Sequence, residues 1–162
     1  MAIDKIILFP VDMSFIPESL AMEIVMDYTA EVLPNSEDIK TIIYKNIAFI
    51  EPGCALSKVT CMNCGADLLE NGYWRNWMDA LCDKGIVNPT MILPCCGLET
   101  YIDALNYEPP VGFSRYVLEI TKPGKDLPEH HQISLEMFLK CRLRKILVRQ
   151  PESPVKQPEC RN

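Results

Sequence analysis

Two short stretches, TCMNCG at residues 60–65 and LPCCG at 93–97, constrain this chain more than anything else in it. A C-x-x-C turn sets two thiolates on one side of the chain at the separation that a tetrahedral metal requires. A glycine follows both Cys64 and Cys96, which lets the backbone take positive φ and turn its amides toward sulfur. Two such turns supply the four ligands of a structural zinc. The second turn departs from the first, however. Matching Cys96–Gly97 to Cys64–Gly65 puts Leu93 at the partner position, where it cannot ligate, so Cys95 has to stand in. Adjacent residues of a strand point to opposite faces, and Cys95 and Cys96 reach one ion only where the chain has left the strand, which Pro94 favours. The expected ligands are Cys61, Cys64, Cys95 and Cys96, with Cys54, His130 or His131 as substitutes in the fourth place. Four thiolates leave no open position for water or substrate, so this Zn²⁺ is expected to hold the fold rather than do chemistry.

Disulfides and redox chemistry are the competing uses of eight cysteines. The Cα atoms of adjacent Cys95 and Cys96 are fixed about 3.8 Å apart, whereas an unstrained bridge wants about 4.4–6.8 Å. The opening MAIDKIILFPVDMSF lacks the basic start and small-residue cleavage site of a secretion signal, and no apolar run is long enough to span a bilayer. The expectation is a cytoplasmic protein, where spaced cysteine pairs more often bind metal. A redox dithiol would open a helix directly after a strand, and CGADLLENG does not read that way. Cys82 and Cys141 fall in stretches read as amphipathic helices and are expected to be buried free thiols, while Cys160 lies in the tail.

At 162 residues and 48% hydrophobic, the chain suits one globular domain over 1–150, followed by a proline-rich tail, 151–162, expected to be disordered. Lys5–Val11 reads as a buried strand. A helix follows from Pro17, presenting Leu20, Ile24, Tyr28 and Val32 until Pro34 stops it. Ile39–Ile50 reads as a long strand. In the stretch from Tyr73 to Gly85, Trp74, Trp77, Met78 and Leu81 share a helical face. The segment GFSRYVLEIT alternates, with Tyr116, Leu118 and Ile120 on one side. A last helix is expected from an N-cap at Ser134, presenting Leu135, Phe138 and Leu139 to the core, with Glu129, His130 and His131 on the loop before it, and RKILVRQ closes the fold as a strand. With the cysteine segment set aside, the order is strand, helix, strand, strand, helix, strand. The expected fold is therefore α+β, a ferredoxin-like (βαββαβ) sandwich with a zinc-knuckle insertion, residues 52–107, between strands 2 and 3.

The block CMNCG, then LPCCGLETYIDALNYEPPVGFSRYVLEI, resembles a group of small uncharacterised bacterial proteins. These carry a C-x-x-C-G knuckle, a P-C-C-G knuckle and an L-N-Y…P-x-G-F segment. The likeness covers roughly residues 61–120. It implies metal binding by Cys61, Cys64, Cys95 and Cys96.

Charge points toward the partner. Residues 1–139 hold 20 acidic and 9 basic side chains, whereas 140–162 hold 2 acidic and 7 basic. Such an acidic bulk repels nucleic acid and attracts basic proteins. Glu23, Asp27 and Glu31 recur at every fourth position of the first helix, a row of like charges that suits the docking of a basic partner such as a toxin or nuclease domain. Lys140, Arg142, Arg144, Lys145 and Arg149 form a basic run, but a strand puts Lys145 and Arg149 on one face and turns Arg144 away. The chain has no P-loop, no G-x-G-x-x-G and no G-x-S-x-G. The expected function is non-catalytic binding, in its most specific form as an immunity or inhibitor protein. The alternative is a zinc-dependent or nucleic-acid-associated enzyme using His130 or His131.

Overall fold

The computed structural model describes residues 2–149, together forming an α+β fold. The expected disordered tail and Cys160 lie outside the described residues, as does the side chain of Cys82. In chain order the elements are β1 (Ile3–Pro10), α1 (Ser19–Val32), β2 (Asp38–Ile50), β3 (Lys58–Thr60), α2 (Tyr73–Lys84), β4 (Thr90–Ile92), β5 (Glu99–Tyr101), β6 (Asn106–Glu108), β7 (Gly112–Thr121), α3 (Glu129–Leu139) and β8 (Leu143–Arg149). A 3-10 turn spans Ile102–Ala104. The chain separates into two compact units, one running to Lys45 and resuming at Ser114, the other Asn46–Phe113. Residues 52–107, expected as the insertion, fall inside the second. Among the described residues no helix is long and apolar enough to cross a membrane.

The first unit is built on a four-stranded antiparallel sheet of order β2-β7-β1-β8. Strand β1 pairs antiparallel with both β7 and β8, in a register that sets Ile6 opposite Ile120 and Leu8 opposite Leu118. The alternation read from β7 is the packing observed. Tyr116, Leu118 and Ile120 join Ile6 and Leu8 in one buried cluster with Val25, Leu33, Leu127, Leu135 and Leu139. Burying each large apolar side chain contributes about 1.5–3 kcal/mol as an upper estimate.

Three sequence expectations about the helices need correction. The buried residues of α1 are Val25 and Thr29, whereas Leu20 and Ile24 are exposed. Thr29 is tolerated inside because its hydroxyl donates to the Val25 carbonyl at 2.7 Å. Helix α3 begins at Glu129, not after Ser134. Pro128 occupies the N-cap, its carbonyl accepts from the His131 and Gln132 amides, and Glu129 sits in the first turn where the helix dipole favours an acid. His130 and His131 are therefore helical, and Ser134 lies mid-helix with its hydroxyl donating back to the His130 carbonyl at 3.1 Å. Cys141 is not helical either. Lys140 takes the left-handed conformation, φ 60°, and ends α3 one residue earlier. The Cys141 thiol is half-buried, and that burial pushes its pKa up to about 11.

The second unit holds two small antiparallel pairs, β3 with β6 and β4 with β5. Of the expected face of α2, Trp74 and Met78 are buried, while Trp77 and Leu81 are half-buried. The Trp74 indole N–H donates to the Tyr107 hydroxyl at 3.2 Å, which donates to the Ile102 carbonyl at 2.6 Å. Both polar groups of this aromatic core are thereby satisfied, and Phe49 and Phe113 complete it with ring contacts. Burial drives the Tyr107 phenol well above its ordinary pKa.

Candidate metal centre

Each cysteine turn is a six-residue loop closed by a β pair. Thr60 bridges Asp67 around the first, and Ile92 pairs with Glu99 around the second. Inside the first, the Cys61 amide donates to the Ala66 carbonyl and the Gly65 amide to the Cys61 carbonyl, both at 2.9 Å. Inside the second, the Leu93 amide donates to the Leu98 carbonyl and the Gly97 amide to the Leu93 carbonyl, both at 2.8 Å. The backbone is thus the same in both. Gly65 and Gly97 hold φ of 79° and 76°, a conformation in which any other residue is strained.

This equivalence fixes which side chains meet. Cys64 and Cys96 occupy the fourth position of their loops, Cys61 and Leu93 the first, and Asn63 and Cys95 the third. The Sγ atoms of Cys61, Cys64, Cys95 and Cys96 all lie within 4.8 Å of one another. Cys61 to Cys96 and Cys95 to Cys96 are each 3.8 Å. All four are free thiols, with Cys61 buried, Cys95 half-buried and the other two exposed. Four soft donors on one point can hold a single metal ion.

Two of the thiols depart from their ordinary range in opposite directions. The Asn63 side-chain amide, 3.3 Å from Cys96 Sγ, leads in drawing that thiol down to about 7, with the Leu98 amide adding to it. Burial, with hydrogen bonds to Cys64, Cys61 and Cys96, pushes Cys95 up to about 12. Neighbouring thiolates repel one another, and a bound cation would offset that repulsion.

The other residues singled out in the sequence are not grouped with this cluster among the described residues. Among the described residues the grouped ligands are the four cysteines, without Cys54, His130 or His131. Cys54 is exposed. His131 Nδ1 lies 2.7 Å from the Tyr28 hydroxyl, and its ring is 4.0 Å from that of His130. Loss of hydration, with the His130 and Lys125 charges adding to it, lowers the His131 pKa. Among the described hydrogen bonds neither histidine side chain meets a carboxylate. Glu23, Asp27 and Glu31 are exposed along α1, and no described ion pair engages them. In the basic run, Lys145 binds Asp126 at 2.8 Å. Two contacts escaped sequence reasoning. Asn63 was findable, since it stands where Cys95 stands in the other loop; the Tyr28–His131 contact joins residues 103 apart and left no local signal.

Against known proteins, the chain matches no family model, no curated protein and no solved structure.

Proposed function

We propose that this protein is a non-catalytic binding protein whose second unit is held by one structural Zn²⁺ on Cys61, Cys64, Cys95 and Cys96. The spacing of the sulfurs carries the metal reading. A tetrahedron with Zn–S of about 2.3 Å has sulfur–sulfur edges of about 3.8 Å, and Cys61–Cys96 and Cys95–Cys96 have that separation. Cadmium or iron would also suit four thiolates; zinc is favoured because the role is structural and the coordination closed. A cytoplasmic setting keeps such thiols reduced. The two knuckles and their order support kinship with the small bacterial group of like motifs. The first unit we read as ferredoxin-like, supported by the sheet order β2-β7-β1-β8 and by α1 and α3 standing between its strands in sequence.

The binding role rests on Glu23, Asp27 and Glu31, a row of exposed like charges that suits a basic protein such as a toxin or nuclease domain, capped in the manner of an immunity protein. Steering by such a row makes association fast at low salt, and screening slows it as the Debye length shrinks from about 30 Å at 0.01 M to about 10 Å at 0.1 M. A partner recovered by pull-down should therefore associate more slowly with rising salt and with Glu23→Lys/Asp27→Lys. Association indifferent to both would remove the acidic row from the account.

A further inference from the structure

The outer flank of α1 is apolar where a solvated helix is normally polar. Leu20 is 66% exposed and Ile24 41%. Tyr28, half-buried against the core, lies one turn beyond Ile24, and the three share one strip along the helix. Helix α3 adjoins that strip, with the Phe138 ring 5.4 Å from the Tyr28 ring and His131 bonded to its hydroxyl. Of the three residues expected in the core from α3, Leu135 and Leu139 are buried, but Phe138 is 38% exposed, and Met137 beside it 74%. Glu23, Asp27 and Glu31 interleave with the strip, each three residues beyond Leu20, Ile24 and Tyr28 in turn.

We propose that this flank seats a basic amphipathic helix of a protein partner. Its apolar face lies on Leu20, Ile24, Tyr28 and Phe138, and its Lys and Arg side chains reach Glu23, Asp27 and Glu31. Charge selects this occupant among those an apolar strip would accept. A second copy seated symmetrically on this flank would set one acidic row beside another, and an anionic lipid surface would meet the same repulsion, whereas a cationic helix gains on both counts. The inference rests on the acidic row as the docking surface and adds the apolar anchors and helical form of what docks. Anchors of this kind carry most of an interface's energy, and charges at its rim mainly set rate and register.

The test uses the full chain, isotope-labelled for NMR, and two synthetic Leu/Lys peptides of identical composition, one patterned as an amphipathic helix and one scrambled. The patterned peptide should bind at least about tenfold more tightly, shifting the resonances of Leu20, Ile24, Tyr28 and Phe138. Ile24→Ser, and independently Phe138→Ala, should remove that advantage while leaving the remaining spectrum folded. Equal binding of the two peptides, weakened alike by Glu23→Lys/Asp27→Lys, would overturn the apolar seat and leave the acidic row standing. Binding of neither would overturn both. Shifts confined to other surfaces would overturn the placement.

Discussion

Leu93 occupies in the second cysteine loop the place that Cys61 occupies in the first, with the same two backbone hydrogen bonds at its amide and carbonyl. Both side chains are only 1% exposed. The cysteine cluster is asymmetric for this reason: one loop offers its first and fourth positions, the other its third and fourth.

That equivalence yields a rescue experiment. Cys95→Ser should abolish stoichiometric zinc binding, and adding Leu93→Cys should restore it, because the new thiol projects as Cys61 does. Truncating a buried leucine costs about 2–5 kcal/mol, and the double variant should therefore hold zinc yet melt lower than the parent. Zinc content of both variants, measured by elemental analysis, decides the point. Failure of Leu93→Cys to restore binding would mean that the loops differ in side-chain direction despite their shared hydrogen bonds.

Asn63 should act on the metal through Cys96. Removing a partner that hydrogen-bonds a ligand typically costs about 10–100-fold in affinity, and competition with a chromogenic chelator should show Asn63→Ala in that range. The pH dependence follows in sign. Cys96 lies near 7 and Cys95 near 12 before metal binds; acidification therefore protonates the ligands and weakens affinity, while zinc uptake at neutral pH releases protons. In chelated protein near pH 8, iodoacetamide should label Cys96 before Cys95, and Asn63→Ala should slow that labelling. Faster modification of Cys95 would contradict the assigned hydrogen bond.

Tyr107→Phe tests the aromatic core of the second unit. The substitution keeps the ring and strands the Trp74 indole N–H and the Ile102 carbonyl, both served by one hydroxyl. Leaving buried partners unsatisfied costs about 1–3 kcal/mol. Urea denaturation of the zinc-loaded protein should show a loss in that range, and an unchanged midpoint would mean that water replaces the hydroxyl.

The gathering of the four cysteines was legible because its signal is local: residue type, spacing and the following glycine all sit within five residues, and the place of Cys95 relative to Leu93 follows from aligning the two loops. Strand β7 was legible because its alternation survives burial of one face. Helix α1 was less so. Leu20, Ala21, Met22, Ile24, Val25 and Met26 surround it with apolar side chains, and periodicity could not say which stripe faces the sheet. The start of α3 was masked because Ser134 resembles a cap, whereas the N-cap observed, Pro128, makes no side-chain cap hydrogen bond and only the first-turn acid Glu129 marked the place. The C-terminal end of α3 depends on Lys140 adopting a left-handed conformation, which sequence alone does not announce.

The central claim is that four thiolates enclose one zinc ion. X-ray absorption at the zinc edge of protein purified without chelator tests it in a single measurement. The account predicts about one zinc per chain with four sulfur neighbours at about 2.3 Å and no nitrogen or oxygen in the first shell. A protein without metal, or a zinc bound by nitrogen or oxygen in place of any of the four sulfurs, would contradict it.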